Sequence, residues 1–143
     1  MPVRWRYPFN RRTEKLVAMN WMKEEFMKIL IILNRNPYDG TDITWNALRL
    51  CEKLLERKTD LRIFLMNDSV DLAREGVEPL AGSVNLTEML IGLIGKGIPV
   101  KVCGTCMLRC GMHKGKTLIK GAAEATMPEL AEWIEECDKV LSF

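Results

Sequence analysis

The run KILIIL at Lys28–Leu33 constrains the fold more than any other part of this chain. Five consecutive branched apolar residues, Ile29 to Leu33, are followed directly by the turn-rich NRNPYDG. A strand that is apolar at every position has no solvent face, so it belongs in the middle of a sheet covered on both sides, the usual setting of parallel strands. LRIFLM at Leu61–Met66 repeats the pattern, with the polar Asn67, Asp68 and Ser69 as the loop after it. Pro99 opens a third strand, Val100–Cys103, at a position where its missing N–H costs no ladder bond.

Helical periodicity fills the gaps. From Thr41 or Asp42, both able to cap, a helix to about Arg57 puts Ala47, Leu48, Cys51, Leu54 and Leu55 on one side. Asn85–Lys96 is a second helix, with Leu86, Met89, Leu90, Leu93 and Ile94 inward and Gly97 as its left-handed cap. Met127–Cys137 is another, with Leu130, Trp133, Ile134 and Cys137 on one face and Pro128 in its first turn. Thr117–Ile119 is expected to be a fourth strand and Lys139–Phe143 a fifth. Strands alternating with helices predict right-handed crossovers and one parallel sheet with helices on both faces.

The 143 residues suit one domain, preceded by a segment of different character. Residues 1–26 carry six bases and three acids, a net +3, so the remaining 117 residues stand at −1 of the total +2. This segment reads as a basic arm with a short helix from Thr13, and residues 27–143 as the domain proper. The overall charge is too small to argue for nucleic acid as a partner. The longest apolar run is far below the roughly 18–20 residues a membrane span needs, and no apolar signal region follows the N-terminal arginines. A cytoplasmic, reducing setting is expected, in which five cysteines are core residues, metal ligands or reactive thiols.

Cys51 and Cys137 fall on inward helix stripes and read as small hydrophobes. Cys103, Cys106 and Cys110 cluster within eight residues of VCGTCMLRCGMHKGK. Cys103 ends the third strand, at the sheet edge where parallel α/β folds gather reacting groups. A short helix over about Cys106–Cys110 would turn backbone N–H groups toward its sulfur, an environment that favours thiolate. Arg109, His113, Lys114 and Lys116 add positive charge, with no acid between Lys101 and Lys120. Redox or sulfur chemistry on Cys103 and Cys106 is therefore favoured over two alternatives. One is structural thiols; the other is a zinc or iron–sulfur module on Cys103, Cys106, Cys110 and His113, whose four ligands within eleven residues would have to wrap one ion in a single turn. NRNPYDGTD lacks the glycine pattern of a dinucleotide or phosphate loop, so no cofactor is expected; the loop reads first as ordinary turn chemistry, with a pocket wall of Asn34, Asp39 and Thr41 at the sheet edge shared with Cys103 as the alternative.

KILIILNRNPYDGTDITWNALRLC, LMNDSVDLAREG, IPVKVCGTCMLRCG and ATMPELAEWIEECDKVLSF together resemble the DsrE/DsrF-like (DsrEFH, YchN-like) family of small sulfur-relay proteins, over residues 27–143. The resemblance implies a three-layer α/β/α, flavodoxin-like domain with a five-stranded parallel sheet, assembled as a homotrimer or hexamer. It also implies a persulfide-carrying cysteine at the end of the third strand, which is Cys103 here, exchanging sulfur with donor and acceptor proteins or small sulfane-sulfur anions. The simplest members have a lone cysteine at this point; the additional Cys106 and Cys110 allow a dithiol mechanism with Cys106 as resolving thiol.

Overall fold

The two most apolar runs lie side by side in the sheet. β1 (Lys28–Leu33) pairs in parallel with β2 (Asp60–Leu65), Ile29 opposite Leu61 and Leu33 opposite Leu65. The computed structural model describes residues 25–113 and 117–143. The expected basic arm and its helix fall almost wholly outside the described residues, as does Lys114. β1 is followed by α1 (Ile43–Glu56), and β2 by a 3-10 helix (Asn67–Ala73) and α2 (Leu86–Gly95). Then come β3 (Val100–Cys103), α3 (Gly104–Arg109), β4 (Ala122–Ala125), α4 (Met127–Glu136) and β5 (Lys139–Ser142).

All five strands are parallel, in the order β4-β3-β2-β1-β5. The chain steps from β1 outward to β4 and then recrosses to place β5 beyond β1. Because right-handed crossovers put their helices on opposite faces when the direction of travel reverses, α1 and α2 cover one face and α4 the other. The architecture is the expected three-layer α/β/α, flavodoxin-like one.

Side-chain alternation divides each central strand between two cores. Ile29, Ile31, Leu33, Leu61, Ile63, Leu65, Val100 and Val102 face α1, α2 and the 3-10 helix. Leu30, Ile32, Phe64 and Cys103 face α4, which contributes Leu130 and Trp133. The first core is the larger, so Cys103 lies in the thinner layer.

Several local expectations change. β4 is Ala122–Ala125, not Thr117–Ile119. Leu118 instead makes a single antiparallel bridge to Arg74, the Ile119 N–H donates to the Ala73 carbonyl at 2.9 Å, and Ile119 is buried in the first core. The apolar triplet is thus an anchor for the 3-10 helix, and Gly121, at φ +93°, turns the chain into the edge strand that follows. The segment read as a loop at Asn67–Ser69 begins that 3-10 helix, whose Ser69, Val70, Leu72 and Ala73 are buried. Neither Thr41 nor Asp42 caps α1: the Thr41 hydroxyl donates to Asp39, and Asp42 makes no side-chain cap bond. Asn85 does cap α2, accepting from the Glu88 N–H at 3.1 Å, and Gly97 has the expected left-handed backbone. On α4, Ile134 is 42% exposed and Cys137, at the C-cap, is half-buried, because one sheet face and one helix leave only a narrow contact stripe.

Candidate functional site

The site begins where β3 becomes α3. Cys103 is the last residue of β3 and also the N-cap of α3, and its Sγ accepts the Cys106 backbone N–H at 3.4 Å. A thiol three residues before an otherwise unpaired amide takes the part that Ser or Asp plays in an ordinary cap. The glycine that follows lies beneath a flexible side chain. A Cβ on the buried Gly104 would meet the carboxylate of Glu124, which reaches over from β4, where it pairs with Val102.

The two thiols differ in their surroundings. Cys103 is only 6% exposed, within the cluster of Leu30, Ile32, Phe64, Ala125, Leu130 and Trp133. Cys106 is half-buried and packs against both cores, at the end of the sheet that separates them. The Cys106 sulfur accepts the Asn67 backbone N–H at 3.1 Å and shares a hydrogen bond with Cys103. Burial, followed by that bond to Cys103, pushes the Cys106 thiol above its ordinary range, while the Asn67 amide and the Arg109 charge work in the other direction.

Behind Cys106 the strand ends are laced together. Asn67 has φ +53°, and its Nδ2 donates to Asn34 Oδ1 at 3.0 Å. Asn34 Nδ2 donates in turn to Ser142 Oγ at 2.8 Å and to the Phe143 carbonyl at 3.1 Å. The buried Ser69 hydroxyl sits 2.6 Å from the Leu33 carbonyl and 2.7 Å from that of Met66, tying the exits of β1 and β2. The ends of β1, β2, β3 and β5 therefore converge on the thiol pair, as strand ends do in open α/β sheets.

Of the residues singled out in the sequence, Cys103 and Cys106 are brought together and Arg109 lies beside them. Its guanidinium, however, is held by Asp68 at 3.1 Å, so the expected uncompensated basic rim is partly neutralised. Cys110 ends α3 half-buried and His113 is exposed. Asp39 and Thr41 bond to each other, with Arg35 on Asp39, and leave Asn34 as the contributor from that loop. Among the described residues no three His, Cys, Asp or Glu side chains are grouped to hold a metal ion, so the spacing of Cys103, Cys106, Cys110 and His113 is not turned into a ligand set. Sequence reasoning missed the N–H of Asn67, the Asp68 partner and the Glu124 carboxylate. None of the three had a local signal: Asn67 acts through its main chain, and Asp68 and Glu124 meet their partners across different elements. A depression of about 650 Å³ opens at the opposite end of the sheet, among Met27, Lys28, Asp60, Glu136 and Asp138, with no cysteine in its wall.

Known proteins share this chain's sequence and fold. The model of the DsrE/DsrF-like family matches residues 27–143. The chain belongs to the DsrE/DsrF-like family. Its relatives include YchN of Escherichia coli, 41% identical over 118 residues, which span 81% of this chain and 98% of YchN. An uncharacterised protein of Methanocaldococcus jannaschii is 35% identical over 117 residues, 82% of this chain and all of that one. The crystal structure of YchN superposes with a TM-score of 0.76 at 39% identity, covering 82% of this chain and 100% of YchN. A conserved Bacteroides thetaiotaomicron protein of unknown function, 17% identical with a TM-score of 0.57 over 81% of this chain and 94% of its own, shares the fold. DsrE/DsrF-like membership supports a function of the sulfur-relay kind in general. Among the described residues no helix is long and apolar enough to cross a membrane.

Proposed function

We propose that this DsrE/DsrF-like protein carries sulfane sulfur as a persulfide on Cys103, with Cys106 as the resolving thiol. The observation that carries the reading is the bond from the Cys106 N–H to the Cys103 sulfur at the β3–α3 junction, a donor fixed by the backbone where an anionic sulfur would need one. In the loading step the Cys103 thiolate attacks the outer sulfur of a donor persulfide or of a small sulfane-sulfur anion. The donor S–S bond breaks, the donor departs with the electron pair, and Cys103 is left as Cys–S–SH. An acceptor thiolate then takes the outer sulfur and regenerates Cys103. Alternatively, the Cys106 thiolate attacks the inner sulfur and hydrosulfide leaves. Two thiols are thereby oxidised to the Cys103–Cys106 disulfide while the sulfane sulfur is reduced, and an external dithiol reductant resets the pair. Arg109 supports the anionic forms through its charge at Cys106; supporting roles for Cys110, His113 and Lys114 belong to the same proposal, the last lying outside the described residues. A cytoplasmic setting and a homotrimeric or hexameric assembly belong to the same proposal, the latter read by light scattering on the purified protein.

The test is mass spectrometry after incubation with a sulfane-sulfur donor. An adduct of about +32 Da on Cys103, absent from Cys103→Ser, is expected. No adduct on the wild-type protein, or one that survives Cys103→Ser, defeats the persulfide assignment.

A further inference from the structure

We propose that Asn34 and Asn67 form a positioning clamp for the dithiol step, keeping the Asn67 backbone N–H aimed at the Cys106 sulfur so that this sulfur can carry negative charge when it attacks. The inference rests on the assignment of Cys106 as resolving thiol. In that step Cys106 loses its proton to solvent, forms a bond to Cys103 Sγ and expels hydrosulfide, so the rate follows the fraction of Cys106 present as thiolate.

Three features argue for the clamp. The Asn67 amide stands at the start of the 3-10 helix, where no intrahelical acceptor exists for it, and it is spent on sulfur at 3.1 Å. Its direction depends on a left-handed backbone, φ +53°, which Asn tolerates and most residues resist. The Asn67 side chain is then immobilised by Asn34, which β5 holds through Ser142 and Phe143. A turn needing only to connect β2 to the next element would require none of this lacing.

The charged and titratable groups around Cys106 come from every neighbouring element. Cys103 stands on β3, Arg109 and Cys110 on α3, Asp68 on the 3-10 helix and Glu124 on β4 beside Gly104. Arg109 is exposed and already paired with Asp68, so its help is diluted by solvent and by its partner. The amide is held by the backbone instead. Losing it raises the pH at which Cys106 becomes reactive.

Peptide fragmentation mass spectrometry of the sulfur-free protein, alkylated with iodoacetamide across a pH series, reads Cys103, Cys106 and Cys110 separately. Asn67→Ala, which disfavours the left-handed backbone, is expected to slow Cys106 alkylation about three- to tenfold below its half-reaction pH and to leave Cys110 unchanged. Asn67→Gly keeps both the N–H and access to that backbone and is expected to lose less than half as much. Asn34→Ala, which leaves residue 67 intact but unclamped, is expected to fall between wild type and Asn67→Ala. A wild-type Cys106 profile in Asn67→Ala, or in both Asn67→Gly and Asn34→Ala, which each remove the bond between the two side chains, overturns the clamp. Should Asn67→Ala fail to fold, an unshifted Asn34→Ala overturns it instead. The readout needs no persulfide: failed loading on Cys103 removes the proposed function while the alkylation series still judges the clamp.

Discussion

Trp133 offers the most direct test of how packing protects the candidate site. It is 9% exposed, meets Phe64 edge-on with ring centroids 6.3 Å apart, and closes the core that holds Cys103. Lys101 Nζ lies 4.6 Å and the Arg62 guanidinium 5.5 Å from its ring centre, each also paired to an α4 carboxylate, Glu129 and Glu136. The ring is therefore the pin by which α4 is fixed to a face that has little other cover. Truncation to alanine removes the transfer and cavity terms of a large aromatic side chain, about 3–5 kcal/mol. Against a domain stability of about 5–15 kcal/mol this leaves a folded but weakened protein. With a urea dependence of about 2 kcal/mol per molar, the midpoint is expected to fall by about 2 M. Trp133→Phe keeps a ring against Phe64 and part of the cation contact, and is expected to cost less than half as much. The same pair of variants is then alkylated at Cys103 in native buffer. Faster labelling is expected in Trp133→Ala and little change in Trp133→Phe. A stability loss below about 1.5 kcal/mol for the alanine variant, or unchanged Cys103 labelling despite a large loss, would refute the reasoning.

Cys51 is fully buried on α1, and burial pushes its thiol up to about 12. It is expected to resist iodoacetamide at pH near 8 in the native protein and to react only once denaturant is added; native-state labelling would show that α1 is not seated as described. In Gly104→Ala the added methyl meets only the movable end of the exposed Glu124, so a loss below about 1 kcal/mol is expected, with a coupling to Glu124→Ala below about 0.5 kcal/mol in a double-mutant cycle; a larger loss would show that Glu124 is fixed over the site. Hydrogen bonds from Lys101 to Glu129 and from Arg62 to Glu136 hold these carboxyls below the usual 4.5. A lowered folded-state value stabilises above the unfolded-state value and loses that effect as pH falls through the folded one, so the urea midpoint should drop as the pH is taken below the usual 4.5. Glu136→Gln is expected to flatten this decline, and an unaltered profile would remove the Arg62 contact from the account.

How much of this was legible in the sequence depends on what placed each element. β1, β2 and β3 declare themselves because short runs dominated by apolar residues and bounded by turn signals suit a buried strand. β4 does not: Ala-Ala-Glu-Ala has little strand preference of its own and is positioned by its register with β3, while the more strand-like Thr117–Ile119 is drawn off to anchor the 3-10 helix. That helix was hidden in turn by its polar opening, although Val70, Leu72 and Ala73 are fully buried. Cys103 and Cys106 could be read from spacing because a capping side chain and the N–H it accepts from are three residues apart. The donors to the pair could not all be found that way. Asn67 lies 39 residues from Cys106 and acts through its main chain, which leaves no compositional trace. Asp68 and Arg109 are 41 residues apart, and an inventory of local charge misses such pairs.

The burial of Cys103 bears on who can do business with it. A thiol that keeps only 6% of its surface is expected to react with small reagents ahead of bulky ones. Under the proposed chemistry, one added sulfur would extend the side chain by about 2 Å. A docking protein would then meet the cargo rather than its carrier, and occupancy alone would tell a loaded molecule from a spent one.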